Sequence, residues 1–137
     1  MGNKKDLEQV ICLDEIIKAS KEELLTLQEL AKSVRVTTYD GNKGSNGKNK
    51  GEANFTKIID KMLDLENQIN EEILVMVDTL DKLHKDINML QNNNEKLVLR
   101  FRYLSNLTWQ EIADKMGYSV MQIHRIHKKA LDNYREI

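Results

Sequence analysis

Apolar residues recur along this chain every three or four positions, and that spacing carries most of what the sequence says about its fold. From about residue 7 to 35, Leu13, Ile17, Leu24, Leu27, Ala31 and Val34 follow the four-three alternation of a heptad, with Ser20 in one slot. The pattern predicts one amphipathic helix, roughly 45 Å long at 1.5 Å per residue. Ile16 and Leu30 widen its stripe beyond a strict seam. From residue 55 to about 91, Ile58, Met62, Leu65, Ile69, Ile73, Met76, Leu80, Leu83, Ile87 and Leu90 continue the same stepping and predict a second long helix. A stripe of that length needs a covering partner. The first helix folded back as a hairpin and a coiled coil with another chain both satisfy it. Residues 37–54 hold four of the six glycines and four asparagines, and are expected to form a flexible loop between the long helices.

Asn92, Asn93 and Asn94 break the second stripe, and any of them can cap the next helix. Residues 95–104 predict a short third helix offering Val98, Leu99, Phe101 and Leu104 to a core. Thr108 and Glu111 then have the spacing of a capping box, Ile112, Ala113 and Met116 share one face, and Gly117 suits a left-handed helix end. Ser119 and Gln122 mark a second, weaker box, before Ile123, Ile126 and Ala130 give the last helix its apolar side. Two short helices about a glycine turn constitute a helix-turn-helix, whose second helix is the usual reader of the DNA major groove. The expected organisation is all-α: residues 1–93 as long helices and 94–137 as a DNA-binding module.

Composition sharpens this picture at the C-terminal end. The net charge of −1 hides an asymmetry: residues 1–94 carry 13 Lys and Arg against 17 Asp and Glu, and residues 95–137 carry 8 against 5. Between Ser119 and Leu131 the only charged residues are Arg125, Lys128 and Lys129. A helix with cations and no acid is suited to phosphate. No apolar run reaches the roughly 18 residues of a membrane span and no leader opens the chain, so a cytoplasmic placement without a membrane is expected.

Other chemistries find little support. Cys12 is single and stands in an apolar helical pattern, where packing is its expected role. His124 and His127 are three apart, but two ligands without a third make a poor metal site. The GSNGKN stretch lacks phosphate-loop spacing. No nucleophile, base and orienting group occur together, so neither enzyme activity nor a cofactor is expected. Trp109 is expected to pack on Phe101 and Tyr103 or, as the alternative, to lie beside the DNA backbone, and Tyr118 to be exposed in the turn within reach of phosphate.

The run from Val98 to Leu131, VLRFRYLSNLTWQEIADKMGYSVMQIHRIHKKAL, resembles region four of bacterial sigma factors. The match includes the Leu-Arg-Phe-Arg-Tyr lead-in, the Leu-Thr-x-x-Glu-Ile-Ala of the first helix and Gly-Tyr-Ser in the turn. The whole chain is similar to a small phage-borne family with a sigma-like C-terminus, related to the ArpU and RinA late-gene regulators. The resemblance implies a sequence-specific, DNA-binding transcriptional regulator of phage or prophage genes. Its DNA-contacting set would be Tyr118, Ser119, Val120, Met121, Gln122, His124, Arg125, His127, Lys128 and Lys129. Val120 and Met121 stand where sigma region four typically has a charged pair. Double-stranded DNA is the implied partner, with RNA polymerase and a second copy joined through the long helices as further ones. The alternative reading is a DNA-packaging adaptor or coiled-coil assembly protein with a DNA-binding end.

Overall fold

A computed structural model describes residues 2–40 and 45–137, without side chains for residues 35–40 and 45–50. Every regular element it contains is helical. Helix α1 spans Lys4–Asp40, α2 Ser45–Asn88, α3 Asn93–Leu99, α4 Trp109–Met116 and α5 Val120–Arg135, with a π-helical turn, Arg100–Leu104, continuing α3. Both long helices exceed their expected limits. The backbone is helical at 37–40 and again from 45 through 54, where a flexible loop was expected, and residues 41–44 lie outside the described ones. The physical reason is local: the stretch contains no proline, and an interior glycine such as Gly51 costs a helix only about 1 kcal/mol, less than propagation from a long neighbour recovers.

The chain divides into two compact units, and the division does not follow the expected boundary near residue 93. One unit is Glu15–Ile73. Within it α1 and α2 pack antiparallel, because Ser20 meets Glu72 while the later Leu24 lies beside the earlier Glu66 and Ile69. Ile17, Ala31, Leu65 and Ile69 are buried there. The heptad slot occupied by Ser20 is explained by a polar contact in the seam. Its hydroxyl, in a residue 4% exposed, donates to the Glu72 carboxylate at 3.1 Å, and Gln68 donates to the same carboxylate at 2.9 Å. Within this unit the two stripes face one another, as the hairpin reading expects.

The other unit joins the residues up to Asp14 with Leu74–Ile137. Its larger core contains Leu7 and Val10 of α1, Leu83 and Ile87 of α2, Leu90, Leu99, Tyr103, and Ala130, Leu131 and Tyr134 of α5. Burying one such aliphatic side chain contributes about 1.5–3 kcal/mol. The hairpin's end and the C-terminal helices thus stabilise one another. Gly2 is buried against Tyr134, and a Cβ there would lie 2.2 Å from the Tyr134 carbonyl oxygen. Lys82 pairs with Asp6 at 3.0 Å, and the hydrogen bond to that carboxylate raises the Lys82 pKa. Burial, with Asp86 and Asp6 nearby, raises the Tyr134 pKa as well. Cys12, expected to pack, is exposed: its position falls on the outer side of α1, away from the stripe.

Candidate nucleic-acid interface

The helix-turn-helix is built on a small core of Val98, Ile112, Ala113 and Ile123, flanked by Phe101, Leu107, Trp109, Met116, Val120 and Ile126. Its helix starts follow the side chains the sequence supplies. Asn92 caps α3 by accepting the Glu95 amide at 3.1 Å. Thr108 and Glu111 form the complete reciprocal box on α4, the Glu111 amide donating to Thr108 Oγ1 at 3.2 Å. Ser119 caps α5 by accepting the Gln122 amide at 3.1 Å. Between them Gly117 takes φ +72°, and its amide and that of Tyr118 both donate to the Ala113 carbonyl, closing α4 and turning the chain into α5.

The apolar face of α5, formed by Ile123, Ala130 and Tyr134, is fully buried, which orients the opposite face outward. That outward strip carries Met121, Arg125, Lys128 and Asp132, all exposed, with Gln122 and Lys129 on one shoulder and His124 on the other. Among the described residues, no ion pair engages Arg125, Lys128 or Lys129. Arg125 instead donates from Nη2 to the Met121 sulfur at 3.6 Å. The acid of the strip, Asp132, stands beyond Arg125, Lys128 and Lys129 towards the C-terminal end, so the middle of α5 carries three cations without an acid among them.

Two residues expected at the DNA face are turned elsewhere. Val120 packs against the small core, because the first turn of α5 rests on α4. His127 is half-buried: its Nε2 lies 2.8 Å from the Tyr103 hydroxyl and its ring meets Trp109 edge-on at 4.7 Å. Burial, assisted by Arg102, His124 and Lys4, lowers the His127 pKa to about 4. The ring is therefore neutral at pH 7, and its Nε2 shares a hydrogen bond with Tyr103, whose own pKa burial raises. Trp109 was expected to pack on Phe101 and Tyr103. It joins the core beside Phe101, but its ring contacts are His124 at 4.6 Å, His127, and the Arg102 guanidinium 4.4 Å above its centroid. Arg102 also donates to the Leu107 carbonyl at 3.0 Å.

The sequence reading missed a second fastening of the turn. Asn94 donates to the Tyr118 hydroxyl at 3.2 Å, linking the start of α3 to the residue before the α5 cap. Glu95, 4% exposed, accepts from the Asn133 amide and ties α3 to the last turns of α5. Nothing in the helical periodicity signals either contact, since both join elements remote in sequence. Asn106 holds a positive φ of 52° in the connection before α4 and donates to Asp14 at 2.8 Å. Asparagine tolerates this left-handed conformation better than most residues.

This arrangement, a capped helix-turn-helix with an exposed cationic second helix, is that of a DNA-binding module. Comparison with known proteins agrees. Residues 92–136 match the family model of sigma-70, region 4, so that stretch carries a region 4 domain, and the match supports a transcription-related, DNA-binding role. The chain is also similar to RNA polymerase sigma factor SigO of Bacillus subtilis (strain 168), 39% identical over 71 residues. That alignment covers 48% of this chain and 40% of the relative, so the chain spans well under half of that protein's length. No solved structure matches the chain. Among the described residues no helix is long and apolar enough to cross a membrane, and no group of three His, Cys, Asp or Glu side chains is placed to hold a metal ion.

Proposed function

We propose that this chain is a sequence-specific DNA-binding regulator of transcription that places α5 in the major groove of double-stranded DNA. The observation that carries the reading is the exposed strip of α5, where Arg125 and Lys128, with Lys129 beside them, have no carboxylate partner among the described residues. Met121, Gln122, His124, Arg125, Lys128 and Lys129 supply the DNA contacts, with Tyr118 and Ser119 at the turn. Phage or prophage genes are the proposed targets, on the resemblance of the whole chain to phage-borne regulators. RNA polymerase is the proposed protein partner, supported by the name of the sigma-factor relative. A dimer would place two readers on paired half-sites. The proposed dimer surface is the long helices, where Leu63, Leu74 and Val77 are exposed.

The test is a salt titration of binding to random-sequence and selected duplexes. Three neutralised phosphates imply a slope of about −2.7 in log K against log salt, at about −0.9 per contact. A chain that binds no duplex, or whose binding ignores salt, is not this regulator.

A further inference from the structure

We infer that Met121 and Arg125 read neighbouring base pairs as one unit, Arg125 taking a guanine and Met121 the methyl group of an adjacent thymine. The inference rests on the proposal that α5 enters the major groove. Its own basis is the contact between the two side chains, with Arg125 Nη2 3.6 Å from the Met121 sulfur.

The residues lie one helical turn apart on the outermost strip. Met121 is 65% exposed, the most exposed large apolar residue of α5, at the end nearest the turn. A thioether in that position has no strong hydrogen bond to offer a base edge. The apolar group presented by the major groove is the thymine C5-methyl, and an unbranched, polarisable side chain can settle against it. Arg125 carries five N–H donors. One is directed to the sulfur, leaving the others for the paired acceptors O6 and N7 of guanine, the commonest specific arginine contact. The sulfur restrains the guanidinium before DNA arrives, which reduces the rotamer entropy lost on binding. One helical turn rises about 5.4 Å and successive base pairs about 3.4 Å, so two residues a turn apart on a helix crossing the groove meet neighbouring pairs.

Three of the flanking residues have engagements of their own within the protein. His124 is packed against the Trp109 ring with centroids 4.6 Å apart, Ser119 is committed to its cap, and Val120 faces the core. Asp132, on the same strip, would meet phosphate repulsion if the C-terminal end of α5 were inserted, which sets the Met121 end foremost.

The experiment uses the full chain and duplexes selected from a random pool, followed by replacement of the selected thymine with deoxyuridine, which differs by the methyl alone. The expected motif contains a guanine beside a thymine. Deoxyuridine should weaken wild-type binding about fourfold, the worth of one buried methyl, and leave Met121→Ala unchanged. Arg125→Ala should lose the guanine preference, roughly tenfold to a hundredfold. Equal deoxyuridine losses in wild type and Met121→Ala would overturn the pairing. So would a loss in Arg125→Ala that is the same on every sequence, which would assign Arg125 to phosphate. Salt-dependent binding with no motif would overturn this inference while leaving DNA binding intact, and absence of duplex binding would remove both. Both positions are exposed, so helix content by circular dichroism separates a reading defect from a folding one.

Discussion

The Tyr103 hydroxyl and the His127 ring form a 2.8 Å hydrogen bond that fixes the inner side of α5 against the π-helical turn. Tyr103 is 5% exposed, and His127 sits between it and Trp109. A histidine that sequence position assigns to DNA thereby serves to hold the reading helix in place.

Stability should therefore depend on pH in a defined window. His127 is lowered from about 6.5 to about 4, so between those values the unfolded chain binds more protons than the folded one. The neutral ring's contribution is fully present above about 6.5 and is lost as pH falls towards 4. The ring is partly exposed, and solvent screening reduces the expected loss to the order of 1 kcal/mol. Melting temperature measured from pH 7.5 to 4 should fall, and the fall should be smaller in His127→Phe.

Trp109, the one tryptophan of the chain, receives Arg102 on its ring and both His124 and His127 against it. Trp109→Leu should cost about 2 kcal/mol in denaturant unfolding followed by circular dichroism. It should also weaken DNA binding by freeing His124. The same weakening in a variant of unchanged stability would assign Trp109 a direct DNA contact.

The glycines at 2 and 117 should fail for different reasons. Gly2→Ala places a Cβ 2.2 Å from the Tyr134 carbonyl oxygen and 2.8 Å from its ring, so the chain must shift, at about 1–3 kcal/mol. Gly117→Ala meets nothing within 4 Å, and its cost of about 1 kcal/mol is the left-handed backbone alone. Gly117→Asn should recover part of the second loss, and Gly2→Asn none of the first, as thermal unfolding will show.

A fragment of residues 92–137 should not fold stably, although it contains the whole region 4 match. It lacks Leu7, Val10, Leu83, Ile87 and Leu90, which supply half of the larger core. Circular dichroism should show a marginal helix content without a cooperative transition. In the full chain Leu7→Ala should destabilise the unit by about 2–5 kcal/mol. A fragment melting as sharply as the parent would show that these contacts are dispensable.

Much of this was legible in the residues. The heptad stripes, the Thr108 and Ser119 caps and Gly117 are local signals, and each produced the expected element. The exposure of Met121 and Arg125 was visible because the outer strip of a helix follows from its inner one. The ends of the long helices were not, since glycine and asparagine mark a loop only when nothing nearby propagates a helix. Nor were the roles of Val120 and His127, which depend on how α4 and the π-helical turn approach α5. Spacing cannot distinguish a histidine that faces DNA from one hydrogen-bonded to a tyrosine remote in sequence. The packing of the chain's first residues with its last was hidden for the same reason: Leu7 and Ala130 share a core that no local pattern records.

That shared core has a consequence for how the protein is made. Leu7 and Val10 emerge from the ribosome early and must wait, while the whole hairpin is synthesised, for the Ala130–Tyr134 surface that completes their burial. Loop closure over so much chain is slow compared with helix formation. The C-terminal module therefore matures only after translation has passed α5, and a nascent chain stalled before that point lacks the surface that completes the burial of Leu7 and Val10.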